Sequence, residues 1–241
     1  MLSVPSKVVP FYLSFSEKAV FLRWLIKEME ITSKELSLFY PTRVLVWRLD
    51  EEAPQLLALC RGAGIPCEDL ETMPVKRQRE KAAERLLLCR AFGQPVSLRH
   101  DDQGAPSVEG LDTNISITHT PRLVALAVDD SHVIGIDAEQ LERQQVLRVR
   151  DKFLNASEKQ FIGPDDLLAH VIAWTAKEAI IKAERNSAID WTDGICLEPF
   201  AADGIDANEI TLAARCGDNR YHLRCLQVEG HCLTLAVACA R

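Results

Sequence analysis

The sequence has no apolar run approaching the length of a membrane span, so no membrane-spanning helix is expected. It has no CxxC pair and no Cys/His cluster at zinc-ligand spacing, which excludes the common structural zinc sites. The eight cysteines are scattered instead. Cys89 sits in Leu-Leu-Leu-Cys-Arg, and Cys232 and Cys239 flank an apolar strand pattern. They read as free thiols of a reducing cytosol. The opening MLSVPSKVVPFYLSFSEK is interrupted by Pro10 and has no small-residue cleavage pattern, so a signal peptide is not expected and the location reads as cytoplasmic. An excess of positive charge is also missing. The net charge is −7, which disfavours bulk nucleic-acid binding. No internal repeat or low-complexity tract is evident.

What remains is an ordinary globular composition, 47% hydrophobic and 26% charged over 241 residues. That length allows one large domain or two small ones, with a real core. Helical periodicity marks 17–30, around Val20, Phe21, Trp24 and Leu25. Arg43 to Leu49 reads as a strand and 52–62 as a helix. Pro74 opens a helix to about residue 92, closed by Gly93 and Pro95. The Asp, Gly, Pro and Ser-rich stretch 101–114 is the expected crossover between two halves, 1–113 and 114–241. Residues 114–120, 122–128 and 133–139 are short β-like runs whose tight connections favour an antiparallel meander. Asn155 and Glu158 have capping-box spacing, 167–185 is the clearest helix, and 220–228 with 231–239 form a terminal hairpin. Mixed strands and helices in both halves point to an α+β fold.

Two places invite chemistry. In Ile134-Gly-Ile-Asp-Ala-Glu139, Asp137 and Glu139 fall on one strand face with Gly135, and Ile134, Ile136 and Ala138 on the other. Adjacent carboxylates repel, so they imply a metal, a shared proton or a solvated strand end. In the helix at 174–184, Trp174, Glu178 and Lys182 recur every four residues and form one stripe. Taken alone, Glu178 and Lys182 are an ordinary i,i+4 ion pair. The basic run Lys76 to Lys81, with Arg85 and Arg90, reads as a phosphate-binding patch or a solvated helix face.

Together these segments resemble 4′-phosphopantetheinyl transferases of the larger, pseudo-dimeric type. The resemblance rests on Gly135-Ile-Asp-Ala-Glu139, on Trp174-Thr-Ala-Lys-Glu-Ala-Ile-Ile-Lys182 and on Ile115-Ser-Ile-Thr-His-Thr120, and it covers about 76–185. It implies two similar halves in a pseudo-twofold arrangement, each a small, mainly antiparallel sheet packed on helices. It also implies a monomer. The implied reaction moves the phosphopantetheine arm of coenzyme A to a serine of an apo acyl or peptidyl carrier protein and releases adenosine 3′,5′-bisphosphate. Mg²⁺, with Mn²⁺ as a substitute, would be held by Asp137, Glu139 and Glu178, since hard cations take oxygen ligands. Glu178 would also help take the serine proton, and Lys182 would stabilise the pyrophosphate. Coenzyme A would be met by His119, Thr118 and Lys182, with Arg79 and Arg85 near the nucleotide.

The sequence departs from that pattern in places. Ala105 stands where many relatives carry a lysine near the coenzyme A phosphates, and Ala138 separates the strand acids. The histidine segment is Thr-His-Thr in place of Ser-His-Ser. A non-catalytic relative that binds coenzyme A or a carrier protein is therefore the alternative reading. Arg143, Arg148, Arg150 and Lys152 follow the acidic strand and are either a carrier-docking surface or a solvated face.

Overall fold

The computed structural model describes residues 33–35, 41–203, 205 and 209–239. The helix expected at 17–30 lies outside the described residues. The fold is α+β, with two small antiparallel sheets backed by helices and one two-stranded ribbon. The first sheet has the order β1 (Ser33–Glu35), β2 (Arg43–Arg48), β6 (Leu123–Asp129), β5 (Asn114–Thr120). The second has the order β7 (Ile134–Gln140), β11 (His231–Ala238), β10 (Asn219–Val228), β9 (Ile210–Cys216), β8 (Ile195–Leu197). The ribbon pairs β3 (Leu98–His100) with β4 (Pro106–Val108). Helices α1 (Ala53–Gly62) and α2 (Val75–Phe92) cover the first sheet. The short helices α3 (Gln145–Arg148) and α4 (Glu158–Phe161) lead to α5 (Leu167–Glu184), which covers the second. Among the described residues no helix is long and apolar enough to cross a membrane.

Strand alternation builds a layered core. Leu45 and Trp47 of β2, with Val124, Leu126 and Val128 of β6, face α1 and α2. The intervening Val44, Val46, Leu123, Ala125 and Ala127 turn the other way. There they meet Ile134, Ile136 and Ala138 of β7 and Leu233 and Leu235 of β11, forming a core between the sheets. The opposite face of the second sheet packs on α5 through Ala176, Ala179, Ile180 and Leu223. Each sheet is thus covered by a helix of 18 residues, joined on the first sheet by the shorter α1. The first ends at Gly93, whose φ of 69° is the left-handed cap that a β-carbon disfavours.

The expected meander is corrected at its third strand. β5 and β6 are a hairpin, but β7 pairs with β11. The reason lies in Asp129. Its Oδ1 accepts the Ser131 and His132 amides at 2.8 and 2.7 Å, and its Oδ2 accepts the Thr42 hydroxyl at 2.6 Å. These bonds anchor a turn that carries the chain into the second sheet instead of back along β6. Residues 114–129 accordingly belong to the first sheet, and 101–114 contains the turn of the β3–β4 ribbon. The Asn155–Glu158 capping box forms as expected, with reciprocal bonds of 2.9 Å each. All eight cysteines are free.

Candidate functional site

The site is built where β5, β7 and α5 converge. Gly135 lets β7 lie against α5: a β-carbon there would overlap the Ala179 carbonyl oxygen and crowd the Ala183 nitrogen. The two residues that follow it on the same strand face, Asp137 and Glu139, are thereby turned toward the helix, as the period of two requires. On α5 the stripe Trp174, Glu178, Lys182 is only half-buried, whereas Ala173, Ala176, Lys177, Ala179 and Ile180 are buried. Thr175 ties helix to sheet, its hydroxyl 2.7 Å from that of Thr234 on β11.

Lys182 Nζ donates to Asp137 Oδ1 at 2.7 Å and to the Ile136 carbonyl at 3.0 Å. The same Asp137 oxygen accepts the Thr118 hydroxyl at 2.9 Å. Glu178 lies close enough to feel Asp137: burial first, and then the charge of Asp137, push its carboxyl above the usual carboxylate range, against the opposing pull of Lys182 and Arg143. Glu139 forms an ion pair with Arg143, and its Oε1 accepts the Gln140 amide at 2.9 Å. The Arg143 guanidinium also lies over the Trp174 ring, 5.5 Å from its centroid. Beside this pair opens a cavity of about 330 Å³ lined by Arg143, Lys152, Phe153, Trp174 and Trp191.

His119 takes the other face of β5. Thr118 pairs opposite Ala125 and points between the sheets, whereas His119 pairs opposite Val124 and faces α2. Its Nε2 lies 3.2 Å from Arg77 Nη1 and 3.5 Å from Glu80 Oε2. Burial lowers its pKa, an effect that Glu80 opposes. Thr118 and His119 are thus not side by side. Arg79 and Arg85 are not brought to His119 either. The Arg79 guanidinium binds the carbonyls of Glu51 and Leu49, each at 2.8 Å. Arg85 makes a two-pronged pair with Asp69, at 2.8 and 2.7 Å. Arg77, which the sequence reading did not single out, is the arginine beside His119; its spacing of three from Glu80 was the available signal.

Arg143 was read as part of a docking surface or a solvated face, and it sits on Glu139. Lys177 was given no role, and it is wholly buried. Its ammonium binds Glu158 Oε2 and the carbonyls of Phe153 and Trp191 at 2.7 Å each, and that of Ile195 at 2.9 Å. Burial lowers its pKa and Glu158 opposes the shift.

Among the described residues, no three His, Cys, Asp or Glu side chains are gathered as a metal cage. Of the three acids expected to hold a metal, Asp137 is paired with Lys182 and Glu139 with Arg143. The donor set, three carboxylates from two elements, fits a hard divalent cation.

No curated protein matches the chain. Residues 133–236 match the family model of the 4′-phosphopantetheinyl transferase superfamily. That span holds β7 with its two acids, α5 with Glu178 and Lys182, and the strands that pack them together, so the similarity to that superfamily falls on the part of the chain that carries the site.

Proposed function

We propose that the protein transfers the 4′-phosphopantetheine arm of coenzyme A to a serine of an apo acyl or peptidyl carrier protein, with Mg²⁺ held by Asp137, Glu139 and Glu178. The observation that carries this reading is the convergence of β7 and α5, within the matched span, on Asp137, Glu178 and Lys182. A divalent ion there would neutralise the charge of the diphosphate and hold it in place. Glu178 is suited by its place on α5 to accept the serine proton; as a ligand of the ion it would be a weak base, so its positioning would matter more than its basicity. Lys182 is suited to hold a phosphoryl oxygen and the departing nucleotide phosphate. His119 and Arg77 together present an imidazole and a guanidinium to a second phosphate. The apolar, aromatic walls of the neighbouring cavity suit the carbon chain of the arm.

The test is to incubate the full chain with coenzyme A, Mg²⁺ and a panel of apo carrier proteins and to weigh the carriers. A mass gain of one phosphopantetheine unit is expected, and it should depend on Mg²⁺. No gain on any carrier, where a control transferase succeeds, would sink the catalytic reading. Mg²⁺-dependent binding of coenzyme A without transfer would point to a binding module instead.

A further inference from the structure

We infer that Arg143 is the resident cation of the metal site, bound to Glu139 until a divalent ion takes its place. This inference rests on the metal reading above. Three observations carry it. Arg143 pairs with Glu139, whereas Lys182 pairs with the other strand acid, Asp137. Its side chain is anchored independently of that pair by the Trp174 ring, so it keeps a resting place when the pair opens. It also lines the cavity, so leaving Glu139 moves it along the rim of a space open to ligand.

Charge counting gives the exchange its direction. Three acidic side chains share the site with two cations, Lys182 and Arg143. A divalent ion with Lys182 balances the three. Adding it while Arg143 stays would leave one positive charge in excess and a guanidinium crowded against the ion. Release of Arg143 therefore accompanies binding, and the lost ion pair weakens the apparent affinity of the site for metal.

The experiment is a Mn²⁺ titration of the full chain without coenzyme A, with free Mn²⁺ read by electron paramagnetic resonance. Wild type, Arg143→Gln, Glu139→Gln and Arg220→Gln are compared, the last removing an exposed positive charge from β10. Arg143→Gln should bind Mn²⁺ about tenfold tighter than wild type, Arg220→Gln should match wild type, and Glu139→Gln should bind more weakly. As a second readout, Mg²⁺ should change the tryptophan emission of the wild type, because the guanidinium over Trp174 moves, and should leave that of Arg143→Gln unchanged. Binding in Arg143→Gln no tighter than in wild type, with Glu139→Gln still weakened, overturns the role of Arg143 and leaves the metal reading standing. Binding that Glu139→Gln does not weaken, or none in any variant, removes both.

Discussion

Lys177 and Lys182 share one helix and one side-chain chemistry, and their surroundings assign them opposite work. Lys177 is buried with Glu158, and both are fully shielded from solvent. Removing one partner of such a pair leaves an uncompensated charge, at a cost of about 3–5 kcal/mol. Lys177→Met should therefore lower the melting temperature by about 10 °C, as read by calorimetry, and adding Glu158→Gln should recover part of the loss. Lys182 keeps 29% of its side chain exposed and meets Asp137 at the edge of the site. Lys182→Ala should leave melting within a few degrees of wild type and reduce transfer to a carrier by on the order of a hundredfold. A Lys182→Ala protein with unchanged transfer would remove Lys182 from the proposed chemistry. The sequence showed Lys182 through its spacing from Glu178, but it could not show Lys177. A lysine one position off an exposed stripe reads as polar surface until its four acceptors from the 153–158 and 191–195 segments are brought around it.

At the scale of elements, the packing of β7 on α5 depends on a missing side chain. A methyl group at 135 would meet helix backbone, which cannot rotate away as a flexible side chain would. Gly135→Ala should force strand and helix apart, with an overpacking penalty of about 1–3 kcal/mol or more. Because the acids ride on that strand, the variant should lose transfer activity even at temperatures where circular dichroism shows it folded. Full activity in a folded Gly135→Ala protein would show that the spacing of β7 and α5 does not set the site. This close approach also marks what was legible beforehand. The alternation in 133–139 placed Gly135, Asp137 and Glu139 on one face, and the four-residue recurrence in α5 placed Trp174, Glu178 and Lys182 on one stripe; both are local periodicities. The partner of β7 was not legible, since short connections on both sides of 122–128 look alike and the difference lies in Asp129 folding back onto the Ser131 and His132 amides. β9 escaped notice because its inward residues after Leu212 are Ala214 and Cys216, too small to make a strong apolar signal. The basic face of α2 was visible as charge, but which arginine reaches His119 is decided by helix rotation, and that favoured Arg77 over Arg79.

At the scale of the whole molecule, β5 fastens one sheet to the other. Its alternate residues Ser116, Thr118 and Thr120 present three hydroxyls to the second sheet. They meet the Ile136 amide at 3.0 Å, Asp137 at 2.9 Å and His231 Nε2 at 2.9 Å. His231 Nδ1 lies 2.8 Å from the Glu229 carbonyl and donates to it, which leaves Nε2 facing the Thr120 hydroxyl. His170 is likewise buried, donating from Nδ1 to the Asp166 carbonyl at 2.6 Å while its Nε2 has no partner among the described residues. Burial lowers the pKa of both. A histidine whose folded pKa lies below its unfolded value binds fewer protons in the folded chain. Its contribution to stability is complete above the unfolded pKa of about 6.5, and it is lost as pH falls from there through the folded pKa. Ordinary carboxylates titrate below this window. The melting temperature should therefore fall between pH 7 and pH 5, and the fall should be smaller in His231→Gln, which keeps a polar group facing Thr120 without taking up a proton. Equal slopes in the two proteins would show that His231 stays uncoupled from folding, and that the fastening of the sheets through Thr120 does not depend on its neutral ring.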